Sequence, residues 1–286
     1  MNQPVMAGQY TSAQPMMGGQ MQYIPTFGNL QYTFTQDPLN ELSLSFKATI
    51  RQQAEFFQIL SGYEGKNRYD VFITLPNGME KYLFKCKEDS TCCQRQCCPA
   101  DTREFNMRIK HISNQMDFRG TFETYYATLL KPFKCTCLCL SRPSITGVFH
   151  SNNQLFGSVT EEFTFCDPLF EVRNQNGIKY VITIDCDQCS FCCSCCCSKF
   201  NKVECIISDG RNRKPVGKIT KTPARNFVEI VGDADTYEIE FPPDATPHEK
   251  LSIIMAGLFI DYRYFELMMK GVNGYYYDRR TGVIVY

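Results

Sequence analysis

Tryptophan is absent from the 286 residues and histidine occurs only three times, which leaves little material for the imidazole-centred sites of many hydrolases and metalloenzymes. Net charge is missing as well. Thirty basic residues balance thirty acidic ones, so the chain as a whole lacks the electrostatic attraction of a nucleic-acid binder, and nucleic acid is not the expected partner. No charge-free apolar run reaches the ~20 residues of a membrane-spanning helix. The opening MNQPVMAGQY lacks the charged and apolar regions of a secretory signal, so a reducing compartment and free thiols are expected. No Ser/His/Asp, Cys/His or Gly-rich phosphate motif stands in a context that supports catalysis, and the chain is not read as an enzyme.

What the sequence has in excess is cysteine, seventeen residues in all. Cys189, Cys192, Cys193, Cys195, Cys196 and Cys197 crowd one stretch, Cys92, Cys93, Cys97 and Cys98 another, and Cys135, Cys137 and Cys139 alternate between them. Two chemistries fit such clusters. Four thiolates would bind zinc, but adjacent cysteines point in different directions and serve a tetrahedral site poorly, so zinc is the weaker reading. Exposed cysteines flanked by apolar residues and cations are acceptors for palmitate, and Phe133, Leu138, Leu140, Lys131, Lys134 and Arg142 surround the alternating trio. Two or more acyl chains, at about 0.8 kcal/mol per buried methylene, would anchor a protein stably. The isolated Cys86, Cys166 and Cys205 read as buried thiols.

Along the chain, residues 1–37 are rich in Gln, Met, Gly and Pro and read as a disordered tail that offers a site for protein partners. Phe46, Ile50, Phe57 and Leu60 recur at helical spacing, predicting an amphipathic helix over 42–61 capped by Gly62. From about 67 to 243 the period is two. Tyr69, Val71 and Ile73 precede Asn77-Gly78, and Tyr180, Ile182 and Ile184 follow Asn176-Gly177, which predicts antiparallel hairpins. Further hairpins are expected from FNMRIKHIS with QMDFRGTF, ECIISDG with KPVGKITK, and FVEIVG with TYEIEF. A degenerate duplication with an offset of roughly 100 residues relates the two Asn-Gly turns and two of the cysteine clusters.

Thr246, Pro247 and Glu249 form a capping box that opens a helix expected to end at Lys270-Gly271. Ile253, Ile254, Met255, Leu258, Phe259 and Ile260 make it apolar on every face. The surroundings are then lipid or protein. Asp261 and Arg263 would each cost about 2.5–3.5 kcal/mol near mid-membrane, which favours protein. A long antiparallel sheet with one such helix suggests a mainly β fold, a closed barrel threaded by that helix. Residues 38–270 form this domain, and 271–286 a C-terminal tail whose Val283–Tyr286 is either a strand or a loose end.

The motifs FQILSGYEGKNRYDV, DSTCCQRQCCPADTREFNMRI, GKITK, DADTYEIEFPPD and IIMAGLFIDYRYFE occur in this order, and with them the chain resembles the phospholipid scramblase family from about residue 39 to Glu266. The resemblance implies a tubby-like closed antiparallel barrel around the C-terminal helix. It implies bidirectional, ATP-independent movement of phospholipids between leaflets when calcium rises, at the cytoplasmic face of the plasma membrane. It also implies palmitoylation after KPFKC, here at Cys135, Cys137 and Cys139, to which the denser Cys189, Cys192, Cys193, Cys195, Cys196 and Cys197 are added as acceptors. The family's calcium segment falls on residues 233–244, with Asp233, Asp235 and Asp244 as ligands. As an EF-hand loop this segment is poor, since Glu238 stands where glycine is needed and Tyr237, Ile239 and Phe241 alternate like a strand. The alternative function is a lipid-anchored adaptor that senses calcium or lipid without translocating lipid.

Overall fold

The computed structural model describes residues 21–26, 29–34, 37–53, 66–91, 102–117, 120–134, 141–185, 188, 202–222, 235–265, 268–270, 276–278 and 283–285. The chain divides into two compact units, Met1–Asp37 and Pro38–Tyr286. In the first, β1 (Met21–Thr26) and β2 (Asn29–Phe34) pair as an antiparallel hairpin with Tyr23 opposite Tyr32. Within the segment expected to be a disordered tail, residues 21–26 and 29–34 are paired strands, at the place where Tyr, Ile and Thr, which suit a pleated backbone, are concentrated.

The second unit opens with a short helix, α1 (Pro38–Leu44). Twelve strands follow: β3 (Lys47–Gln52), β4 (Arg68–Thr74), β5 (Glu80–Asp89), β6 (Phe105–Asp117), β7 (Gly120–Lys131), β8 (Ser144–Phe149), β9 (Leu155–Glu162), β10 (Leu169–Asn174), β11 (Gly177–Ile184), β12 (Val203–Asp209), β13 (Pro215–Thr222) and β14 (Thr236–Glu240). Each pairs antiparallel with its neighbour in sequence, and β14 returns to β3, closing a barrel. The period-two pattern reflects burial, as Tyr69, Val71 and Ile73 of β4 face inward while the residues between them do not. Gly78 and Gly177 turn the expected hairpins with φ of +79° and +112°, a region glycine enters without steric cost.

Two local expectations are corrected. The helix predicted over 42–61 is replaced by α1, which ends at Leu44, and by β3, in which Ala48 and Ile50 point into the barrel. Pairing on both edges, with β14 and β4, overrides the weak helical spacing; residues 54–65 lie outside the described chain. Gln115, Met116 and Asp117 continue β6 rather than beginning its partner, so the turn falls between Asp117 and Gly120. FVEIVG, the partner expected for TYEIEF, lies outside the described residues; β14 itself pairs with β13 and β3.

The capping box forms as expected. The Glu249 amide donates to Thr246 Oγ1 at 3.4 Å and the Thr246 amide to Glu249 Oε2 at 2.9 Å, starting α2 (Pro247–Ile260). A π-helical turn, Asp261–Phe265, continues it. The helix does not reach Lys270, because Met268–Lys270 is β15, in a small sheet with β16 (Tyr276–Asp278) and β17 (Val283–Val285).

Alternation of strand direction fixes where the connections lie. Those following β3, β5, β7, β9, β11 and β13 all leave at one end of the barrel, and α2 enters from the other. Its first turn lies beside the start of β11, where Tyr180 donates to Glu249 at 3.3 Å. Its last turn meets the starts of β4 and β14, where Tyr69 and Tyr237 bond Asp261. Gly257 lets strands approach closely: a Cβ there would sit 3.1 Å from Ile50 Cδ1 and 3.4 Å from Ile239 Cδ1.

Candidate functional site

The apolar residues of α2 are spent on the barrel core. Ile253, Ile254, Met255, Leu258, Phe259 and Ile260 are all buried among strand residues. Among the described residues no helix is long and apolar enough to cross a membrane. The charges that argued against lipid are satisfied inside the barrel. Asp261, 1% exposed, accepts from Tyr69 at 2.6 Å and Tyr237 at 2.5 Å. Glu161 accepts from Arg263 Nε at 2.8 Å and Tyr264 at 2.5 Å, and also pairs with Arg142. Burial, followed by the negative charge of Asp261, pushes the Tyr237 phenol well above its ordinary range, so it stays a donor.

The three carboxylates of the calcium segment are not gathered by the described chain. Asp233 lies outside it. Asp235 pairs with buried Lys221 at 2.8 Å and immediately precedes β14, and Asp244 is exposed beyond the other end of that strand. The five residues of β14 put roughly 16 Å of extended chain between them. Tyr237 and Ile239 face inward, so residues 236–240 form a barrel strand. Among the described residues no three His, Cys, Asp or Glu side chains are grouped to hold a metal.

Cys135, Cys137, Cys139, Cys189, Cys192, Cys193, Cys195, Cys196 and Cys197 lie outside the described residues. The strands that flank them in sequence are described: the end of β7 and start of β8, the end of β11 and start of β12, and, around Cys92 to Cys98, the end of β5 and start of β6 all lie at the same end of the barrel. The β9–β10 connection at that end is described, and it exposes Phe165 at 96% and Phe163 at 45%, with Phe133 at 60% beyond β7. Cys86 and Cys205 are buried thiols, as expected, and burial pushes the Cys205 thiol up to about 12. Cys166 is not; it is exposed, next to Phe165 in the β9–β10 connection.

The outer wall of β4–β7 holds a shallow pocket of about 280 Å³ lined by Arg68, Lys85, Lys87, Arg108, Lys110, Glu123 and Tyr125. Register produces it. Arg68, Lys87 and Arg108 stand directly opposite one another on three adjacent strands, and Lys85, Lys110 and Tyr125 form the next row but one. Glu123 takes both Lys85 at 2.7 Å and Lys110 at 3.0 Å, which hold its carboxyl below the usual range. The sequence signal was present in the alternating cations of Lys85-Cys86-Lys87 and Arg108-Ile109-Lys110, but their alignment across strands was not.

A family model described as Scramblase matches residues 31–267. Phospholipid scramblase 1 of Homo sapiens is 29% identical over 238 residues, which is 81% of this chain and 68% of that protein. Phospholipid scramblase 2 of Bos taurus is 28% identical over 227 residues, 76% of this chain and 68% of the relative. For phospholipid scramblase 1 of Mus musculus the figures are 27% over 226 residues, 76% and 60%, so the chain spans roughly two thirds of the length of these relatives. With the match running from β2 through the whole barrel and both helices, the chain belongs to the phospholipid scramblase family.

Proposed function

We propose that this protein moves phospholipids between membrane leaflets, in both directions, without ATP and in response to calcium. Family membership carries this reading. The task requires no covalent step; it requires a lower cost for taking a polar headgroup through hydrocarbon. Enclosed in the barrel, α2 has no apolar face left to line such a path. The barrel wall carries Lys, Arg and Glu outward, the reverse of the apolar band of a spanning barrel. The protein therefore acts on the bilayer from its surface, at the barrel end that exposes Phe133, Phe163 and Phe165 and where the strands flanking the cysteine segments end.

In this reading acyl chains on Cys135, Cys137, Cys139 and the 189–197 cluster hold that end to the cytoplasmic face of the plasma membrane, and the aromatic rings enter the interface. The barrel is taken as tubby-like, twelve strands around one helix. Of the expected ligands Asp233, Asp235 and Asp244, calcium would bind weakly to those at the Asp233–Asp235 end of β14, where Asp235 must exchange Lys221 for the ion; Asp244, at the other end of that strand, is too far away to share it. Zinc in the cysteine connections is the weaker alternative; purified protein free of stoichiometric zinc would end it. The N-terminal unit is left for protein partners.

A second reading is favoured by the burial of α2: a lipid-anchored adaptor that senses calcium or lipid without moving it. The two separate in liposomes containing a labelled phospholipid and the purified protein, with and without calcium. The first reading expects calcium-dependent movement that Asp233→Ala removes. Movement no faster than in protein-free liposomes, with the protein folded and anchored, leaves the adaptor.

A further inference from the structure

Closing the strands from β3 to β14 into a barrel removes every sheet edge from that part of the chain, since β14 pairs back to β3. The N-terminal hairpin is the opposite case. Among the described residues β1 and β2 pair with each other and with no further strand, so each keeps one open edge. Their ladder closes at Thr26 opposite Asn29, with two residues between them, and a pair that close to the turn is hydrogen-bonded. Alternation then turns the backbone groups of Leu30, Tyr32 and Phe34 outward from β2, and those of Tyr23 and Pro25 outward from β1. The two edges are not equivalent. Pro25 offers no amide on the outer side of β1, whereas Asn29–Phe34 contains neither proline nor a charged residue, devices that ordinarily blunt an edge. At three residues each, β15 and β17 are too short to be comparable templates.

From this placement we infer that the outer edge of β2 pairs with the same edge of a second copy of this chain. Residues 1–36 contain no charged side chain, so nothing in them repels an identical segment or selects one of opposite charge. Leu30 to Thr35 combines high β-propensity with the absence of charge and proline that marks self-pairing strands. Two identical strands meeting antiparallel obey a twofold axis, the commonest symmetry of soluble oligomers. The register that engages every outward group sets Leu30 of one copy opposite Phe34 of the other, and Tyr32 opposite its own counterpart on the axis. The sheet then runs β1–β2–β2–β1, and Pro25 on both of its outer edges stops growth at two copies. This assignment rests on the reading of the N-terminal unit as the part left for protein partners; lipid movement does not enter it.

The test is sedimentation equilibrium of the full chain, kept reduced so that its thiols do not cross-link copies, over about 1–200 µM, the range suited to a small interface. We expect the mass to rise toward that of two chains. Tyr32→Lys sets two cations opposite each other on the axis and should weaken association roughly tenfold, and an equimolar mixture of Tyr32→Lys with Tyr32→Glu should restore it. Tyr23→Pro, which removes an amide from the outer edge of β1, should associate as the parent does, with the Tm of the barrel unchanged in every variant. A parent that stays monomeric would leave the edge to an unlike protein and overturn the inference. So would mass growing past two copies, equal association of Tyr32→Lys and the parent, or an equal loss with Tyr23→Pro. A dimer that depends on Tyr32 in a chain that moves no lipid refutes only the proposed lipid movement; a chain that scrambles yet stays monomeric refutes only this pairing.

Discussion

Asp261 is one residue past the last turn of α2, yet it ties that helix to two strands from distant parts of the chain, β4 through Tyr69 and β14 through Tyr237. Removing one hydroxyl leaves a buried carboxylate short of a donor. Tyr237→Phe should lower unfolding stability by about 1.5–3 kcal/mol, read as a lower urea midpoint at unchanged m. Glu123 makes a prediction on the acid side. Its hydrogen bonds to Lys85, then Lys110, hold its folded pKa below the ordinary 4.5. That contribution is complete above 4.5 and is lost as pH falls below it through the depressed value. Glu123→Gln should therefore lose stability relative to the parent at neutral pH and converge with it in acid, as thermal melts across pH would show. The charges that made 251–266 a poor membrane span were legible in the sequence, but their partners were not. Glu161, Tyr69 and Tyr237 are about 24 to 190 residues from the side chains they meet, and no local pattern encodes such pairings.

At the level of elements, α2 was readable because its signals are local: a capping box, a proline at its first turn and an apolar surface all round. The strands were readable where inward residues alternate and Asn-Gly sets the turn. The stretch from 42 to 61 misled because apolar residues at positions 46 and 50 suit a helix as well as the start of a strand, and pairing with β14 and β4 decided it. Lys250 joins α2 to α1, donating to the carbonyls of Leu42 at 2.9 Å, Ser43 at 3.1 Å and Ser45 at 2.6 Å. It covers the carbonyl end of a helix too short to persist alone. The packing of α2 can be tested at Gly257. Its surroundings have no room for a long side chain, so Gly257→Leu should cost about 1–3 kcal/mol through overpacking, despite leucine's better helix propensity, and lower Tm measurably.

For the whole molecule, the informative feature is the even strand count of a barrel in which every neighbour is antiparallel. Hairpins alternate between two ends, so the strands flanking cysteine clusters separated by about 100 residues of sequence meet them at the same end of the barrel. The duplication hinted at this, since the strands flanking the two largest clusters lie half a barrel apart with the same direction. The cation rows of the outer wall were not legible, because they exist only once register aligns β4, β5 and β6. Cysteine labels cannot report orientation in a chain with so many thiols, but the absence of tryptophan makes one introduced indole a unique probe. The central claim is that the barrel meets the bilayer with its cysteine-bearing end and keeps α2 inside. It is tested most directly by brominated-phospholipid quenching of Phe165→Trp, of Met79→Trp at the opposite end, and of Phe259→Trp within α2, each on membrane-bound protein with its Tm retained. Quenching of the probe at 165 alone is the predicted result; quenching at 259, or equal quenching at 79 and 165, would contradict it.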